Sequence, residues 1–132
     1  MTAAELLAPL PLLLVALGSV LGAVARVAIS RVLAVGGQGR VIAPDTLLVN
    51  WTGSLVIGCL LALAPDLAVL PSAFLIAGFL GSYTTVSALS LHCLVLAQGR
   101  GWATALLNLS ANLVGGLALA GAGLLIGQWL WA

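Results

Sequence analysis

Four apolar runs leave this chain few architectures to choose from. Cut where charged residues, prolines and glycines cluster, they cover about 9–33, 44–64, 71–97 and 102–131. Each is as long as, or longer than, the ~20 residues that cross a bilayer core as a helix. Soluble proteins carry roughly 25% charged residues, whereas this sequence has 5% charged and 63% hydrophobic residues. The expected fold is therefore all-α and integral to the membrane, with four transmembrane helices in a single transmembrane domain over 1–132. The connections, near 34–43, 65–70 and 98–101, leave no room for an extramembrane domain. A cleaved secretory signal would open on basic residues; the lead-in here has Glu5 and no Lys or Arg, so the first run is read as a retained helix.

Charge placement predicts an orientation. With four helices, the connections 34–43 and 98–101 share one side, and both termini share the other with 65–70. Arg31, Arg40 and Arg100 belong to the first side, while the second has Glu5 and Asp66 and no Lys or Arg. The positive-inside rule puts the arginines in the cytoplasm and both termini outside it. A 13.2 kDa unit has little interior, so a solute pathway is expected between the subunits of an oligomer. Cys59 and Cys93 lie in apolar runs and read as small hydrophobes rather than disulfide or metal partners. Two Asn-x-Ser/Thr sequences, at Asn50 and Asn108, fall within predicted helices and are not glycosylation acceptors.

The polar residues inside the runs are few enough to weigh singly. Gly18 with Gly22, and Gly123 with Gly127, have the four-residue spacing that lets helices approach closely in lipid. Arg26 sits deep in the first run, where a cation must snorkel or line water; in the second case it would draw anions into a vestibule. Asn50 and Ser54 share one helix face, as do Asn108 and Asn112. Buried amides of this kind serve as interhelical glue or as donors along a pathway. No Asp or Glu lies deep in any run, which removes the usual titrating group of a proton-coupled transporter. His92, alone of its kind, reads as a packed or interfacial residue. Neutral donors and one arginine suit a small anion.

The densest polar cluster is GFLGSYTTVSALSLH, residues 78–92. Thr84 falls at the middle of its run, and Gly78 and Gly81 just before it lower the cost of unwinding. The residues alone leave two readings open. One is a helix broken at its midpoint, whose freed carbonyls suit a hard monovalent cation. The other is an intact helix whose hydroxyls bond back to carbonyls one turn earlier.

The sequence resembles a family of small bacterial fluoride channels called Fluc or CrcB, over nearly its whole length. GSVLGAVAR looks like the family's glycine-rich segment ending in Arg. DTLLVNWTGSLVIG looks like its Thr-Leu-x-x-Asn-x-x-Gly segment, and ALLNLSANLVGG like its fourth helix. GFLGSYTTVSALS is similar to Gly-Phe-x-Gly-x-x-Thr-Thr-Phe-Ser-Thr-Phe-Ser. The resemblance implies passive passage of fluoride out of the cytoplasm through a dimer of oppositely oriented subunits in the bacterial inner membrane. It also implies a break in the third helix and a structural sodium ion at the dimer centre, held by the backbone carbonyls of Gly81 and Thr84. Asn50, Thr85 and Ser87 would line the fluoride path and Arg26 its vestibule; Asn108 and Asn112 join them from the reading above.

One departure matters. The family's two helix-three phenylalanines fall here on Val86 and Leu89, and the threonine between them on Ala88. Aliphatic groups lack the positive ring edge that an aromatic offers an anion. A homodimer of opposed subunits also requires insertion both ways, which the one-sided arginines disfavour. The expected partner is therefore a homologous, oppositely inserted subunit, with a homodimer as the alternative. A non-conducting structural subunit is a second reading. A small multidrug exporter is a remote third, since its membrane glutamate would here be Glu5, ahead of the first run. No enzyme chemistry and no nucleic-acid partner are expected.

Overall fold

The computed structural model describes residues 8–34, 44–63 and 67–131. Glu5, Arg40 and Asp66, three of the residues behind the predicted orientation, lie outside the described residues. Helix α1 covers Pro9–Ala34 and α2 covers Pro44–Leu63. The third span, Val69–Arg100, is composite: α3 (Val69–Ser72), a π-helix (Ala73–Leu80), α4 (Gly81–Tyr83) and α5 (Val86–Arg100). Helix α6 covers Trp102–Leu130. All four spans are long and apolar enough to cross a bilayer, and the chain is a multi-pass membrane protein.

Local chemistry explains the boundaries. Pro9 and Pro44 open their helices, and Pro71 is third in α3; in a first turn the missing N–H costs nothing. The third span can therefore begin at Val69, ahead of the expected 71. At its far end Gly101 has φ 92° and ψ 163°, a left-handed-side conformation that glycine alone adopts freely. The expected connection 98–101 shrinks to that one residue.

Close backbone approach holds the spans together. Helix α1 packs along the π-helix and α2 along α6, with α5 against α6. A Cβ at Gly18 or Gly22 would strike the backbone of Phe74 or Phe79; one at Gly123 or Gly127 would strike that of Leu55 or Cys59. The packing role expected of these four glycines therefore holds. Gly78 does not unwind the span where it lies. It is buried against Val15 and Gly18, and its carbonyl accepts from Ser19 Oγ at 3.5 Å.

The break falls where the sequence pointed. Thr84 (φ −73°, ψ 154°) and Thr85 (φ −148°, ψ 122°) are both extended. Back-bonding hydroxyls occur as well: Thr84 Oγ1 donates to Leu80 O at 3.0 Å and Ser90 Oγ to Val86 O at 2.9 Å. The core is small, built on Val49, Leu80 and Tyr83, whose ring stacks on Phe79 at 5.7 Å. Exposed Trp102, Trp129 and Trp131 mark the two ends, where indoles favour the lipid headgroup level.

The α2–α6 seam yields a direct test. Gly58→Ala sets a methyl against the Ala120 carbonyl and Gly123→Ala one against Leu55, overpacking expected to cost about 1–3 kcal/mol each. Gly121, on the same helix, has nothing within 4 Å of its Cβ position, so Gly121→Ala should be neutral. Thermal unfolding of the three purified variants in detergent checks the contrast.

Candidate functional site around the broken third span

Leaving a helix frees backbone groups, and in α2 the side chain of Asn50 meets them. Thr85 N–H donates to Asn50 Oδ1 at 2.9 Å, and Asn50 Nδ2 returns a bond to Thr85 O at 3.1 Å. The amide thus pairs with the extended residue as a neighbouring strand would. The second Nδ2 proton goes to Asn112 Oδ1 at 3.0 Å, and Asn112 Nδ2 donates to Asn108 O at 3.1 Å. Three spans are tied at one point.

Thr85 also restarts the helix. Its Oγ1 accepts Ala88 N–H at 3.2 Å, an N-cap of the kind Thr favours, and lies 3.1 Å from Ser87 Oγ. These bonds have a consequence upstream. In a continuous helix the Thr85 N–H would serve the Gly81 carbonyl and the Ala88 N–H that of Thr84. Both are engaged elsewhere, so the two carbonyls lose their helical partners.

Thr85 lines two cavities. One, about 580 Å³, is lined by Arg26, Ser87, Thr46 and His92 among others. The second, about 350 Å³, is lined by Asn50, Ser54, Gly81, Thr84 and Asn112, with Val86 and Leu89. Its lining has no carboxylate. Uncharged backbone oxygens of this sort fit a hard monovalent ion such as sodium better than a divalent one. Among the described residues there is no His, Cys, Asp and Glu grouping that could hold a metal.

The sequence-derived site residues thus divide between places. Arg26 and Ser87 face the larger cavity, Asn50 and Asn112 the smaller, and Gly81 and Thr84 edge the smaller. Asn108 lines neither. It is 0% exposed, its Nδ2 donates to Cys93 Sγ at 3.5 Å, and its Oδ1 has no partner among the described residues. Val86 is 77% exposed and Leu89 only 5%. Sequence reasoning missed the Thr46 Oγ1 contact with His92 Nδ1 at 3.0 Å. A signal existed, because Thr46 sits one turn before Asn50 on the same face. It also missed Thr52 Oγ1 with Tyr83 Oη at 2.9 Å and Trp51 Nε1 to Ala111 O at 3.0 Å.

Residues 13–124 match the family described as CrcB-like protein, Camphor Resistance (CrcB). The chain belongs to the CrcB-like family. Several relatives are named as fluoride-specific ion channels. The FluC protein of Gloeobacter violaceus is 40% identical over 119 residues, covering 89% of this chain and 95% of that protein. The FluC protein of Magnetococcus marinus is 37% identical over 117 residues, 86% and 94% of the two chains. FluC 1 of Leifsonia xyli is 40% identical over 122 residues, 90% and 88%. In this CrcB-like chain the family match spans Arg26, the Asn50 clamp, the break and both α6 asparagines.

The clamp is testable apart from transport. Asn50→Ala would strip partners from Thr85 N–H, Thr85 O and Asn112 Oδ1, each loss costing about 1–3 kcal/mol. Ser54→Ala, one turn along the same cavity wall, should leave the melting temperature within a degree or two of wild type. Equal effects from both substitutions would contradict the clamp.

Proposed function

We propose that this protein is a passive, fluoride-selective channel subunit that lets fluoride leave the cytoplasm down its gradient. The observation that carries the reading is the pair of cavities that share Thr85 in their linings, joined to the fluoride-channel names of the relatives. The CrcB-like family is one of channels, and the chain is not an enzyme.

Each residue has a task in this reading. Arg26 draws anions into the larger cavity. Fluoride holds its water tightly, so a pathway must replace that water with inward-facing donors. Thr85 and Ser87 share one hydrogen bond at 3.1 Å whichever hydroxyl donates, which leaves the other hydroxyl proton for an ion. Asn50 spends both amide protons, on the Thr85 carbonyl and on Asn112, and Asn112 spends one of its two on the Asn108 carbonyl, so their first task is to hold Thr85 in place. Asn108 supports them through its carbonyl. A sodium ion at the Gly81 and Thr84 carbonyls would supply a fixed positive charge that lowers the cost of an anion in a low-dielectric region.

The assembly is proposed as a dimer with an oppositely inserted homologous subunit, in the bacterial inner membrane, with both termini outside the cytoplasm. The exposure of Val86 and the open edge at Gly81 support a surface that a partner completes. The aliphatic pair Val86 and Leu89 also favours a second reading, a subunit that supplies fold and ion site but no pore of its own.

Fluoride efflux from liposomes holding this purified chain, read by electrode against a chloride control, separates the two. Rapid fluoride-selective efflux is expected of a self-sufficient channel, and Val86→Phe should raise the rate several-fold because a ring edge offers an anion the positive quadrupole that an aliphatic side chain lacks. No efflux from well-folded protein overturns the homodimeric channel and assigns conduction to an assembly with a different partner. For the ion site, exchanging sodium for choline should lower the melting temperature by several degrees. An unchanged melting curve would remove sodium from the proposal.

A further inference from the structure

The larger cavity holds more charge than an entrance needs. Arg26 and Arg31 come from α1, Asp45 and Thr46 from α2, and His92 from α5, with Ser30 and Ser87 between them. Neither arginine makes an ion pair or hydrogen bond with any described residue, and neither does Asp45. Helix α6, packed on α5, carries no titratable side chain. Arg100 lies two turns beyond His92 along α5, about 12 Å away by helical rise. Two arginines against one aspartate make the lining positive, and a proton on His92 would double that excess.

Thr46 makes the proton easy to accommodate. Its buried hydroxyl lies 3.0 Å from His92 Nδ1 and can either donate to a neutral ring or accept from a charged one. The contact survives in both states, so the ring can change charge without moving. An imidazole is also the side chain that ordinarily changes charge between pH 5 and 8.

We propose that this cavity is an anion-binding vestibule in which His92 takes up a proton from bulk water as the anion binds beside Arg26 and Arg31. The identity of the anion as fluoride rests on the reading above. Binding and protonation are then linked in both directions: anion favours imidazolium, and acid on the arginine-bearing side raises occupancy. The linkage suits a weak acid's anion. Undissociated hydrogen fluoride that crosses lipid releases a proton and a fluoride together, and the vestibule would respond to both.

The chain's single histidine gives an unambiguous probe. In full-length protein in lipid nanodiscs with 13C-labelled histidine, sodium fluoride added at constant pH near 6.5 should drive the ring signals toward their imidazolium position. Sodium gluconate at equal ionic strength should not, and the double variant Arg26→Gln/Arg31→Gln should lose the response. In liposomes, efflux at limiting fluoride should rise several-fold from pH 8 to pH 6. Protein-free vesicles at each pH subtract the hydrogen fluoride leak. His92→Gln, which keeps a hydrogen-bonding group opposite Thr46, should flatten the pH dependence while melting like wild type. Signals unmoved by fluoride, equal movement with gluconate, or a pH dependence surviving in His92→Gln would each overturn the proposal. Absence of efflux at every pH would instead strike the channel reading, and the nuclear magnetic resonance titration would then decide the vestibule alone.

Discussion

Inside a bilayer a backbone group that leaves its helix has no water to turn to, and each one left bare costs several kcal/mol. The rest of the site depends on how Asn50 meets that cost at Thr85. One amide returns both backbone bonds of an extended residue and keeps a proton for Asn112. Once Thr85 is held, its hydroxyl is placed to cap α5. Once its N–H is taken, the carbonyl of Gly81, a residue that lines the smaller cavity, loses its helical partner. A local break thereby becomes a junction with donors on one side and acceptors on the other.

That clamp works only because two helices come within reach of it. Asn50 in α2 and Asn112 in α6 meet at 3.0 Å, and the seam beside them is set by backbones that touch at Gly58 with Ala120 and Gly123 with Leu55. Lipid offers no hydrophobic drive between helices, so small residues and interhelical hydrogen bonds must do the work together. A larger residue at either glycine would push apart the asparagines as well as the helices. Packing and polar chemistry are one constraint here, exercised a few turns apart.

The four spans were legible because a bilayer sets a length that any apolar run either meets or fails. The break was half-legible: Gly81, Thr84 and Thr85 marked the position, but a hydroxyl in a helix reads the same whether the backbone is extended or not. Only the partner across the interface decides, and the Asn50–Thr85 pairing joins residues far apart in sequence. The same limit hid the Thr46–His92 contact, since a lone histidine carries no sign of what faces it. Asn108 shows the converse. Its spacing from Asn112 is that of a shared face, yet it is buried against Cys93 of α5 and lines neither cavity. The π-helix over Ala73–Leu80 had no signal in the residues; Gly78 within it serves contact with α1 rather than unwinding.

What remains is the lopsidedness of the chain's own surface. Most of its exposed large hydrophobic side chains are leucine and valine, as lipid requires. Gly81 and Val86, at the break, are exposed too. A bare backbone at mid-membrane depth is tolerable only when protein or water covers it. The larger cavity, with arginines that pair with no described residue, can be covered by water. The smaller, mostly apolar and lined by Gly81 and Thr84, is the one that the proposed partner subunit would cover. In the proposed assembly of oppositely inserted subunits, a partner with the same one-sided arginines would have to insert against its own charge bias. Within the proposed assembly, the break is the reason for a partner and the charge placement the reason for a dissimilar one.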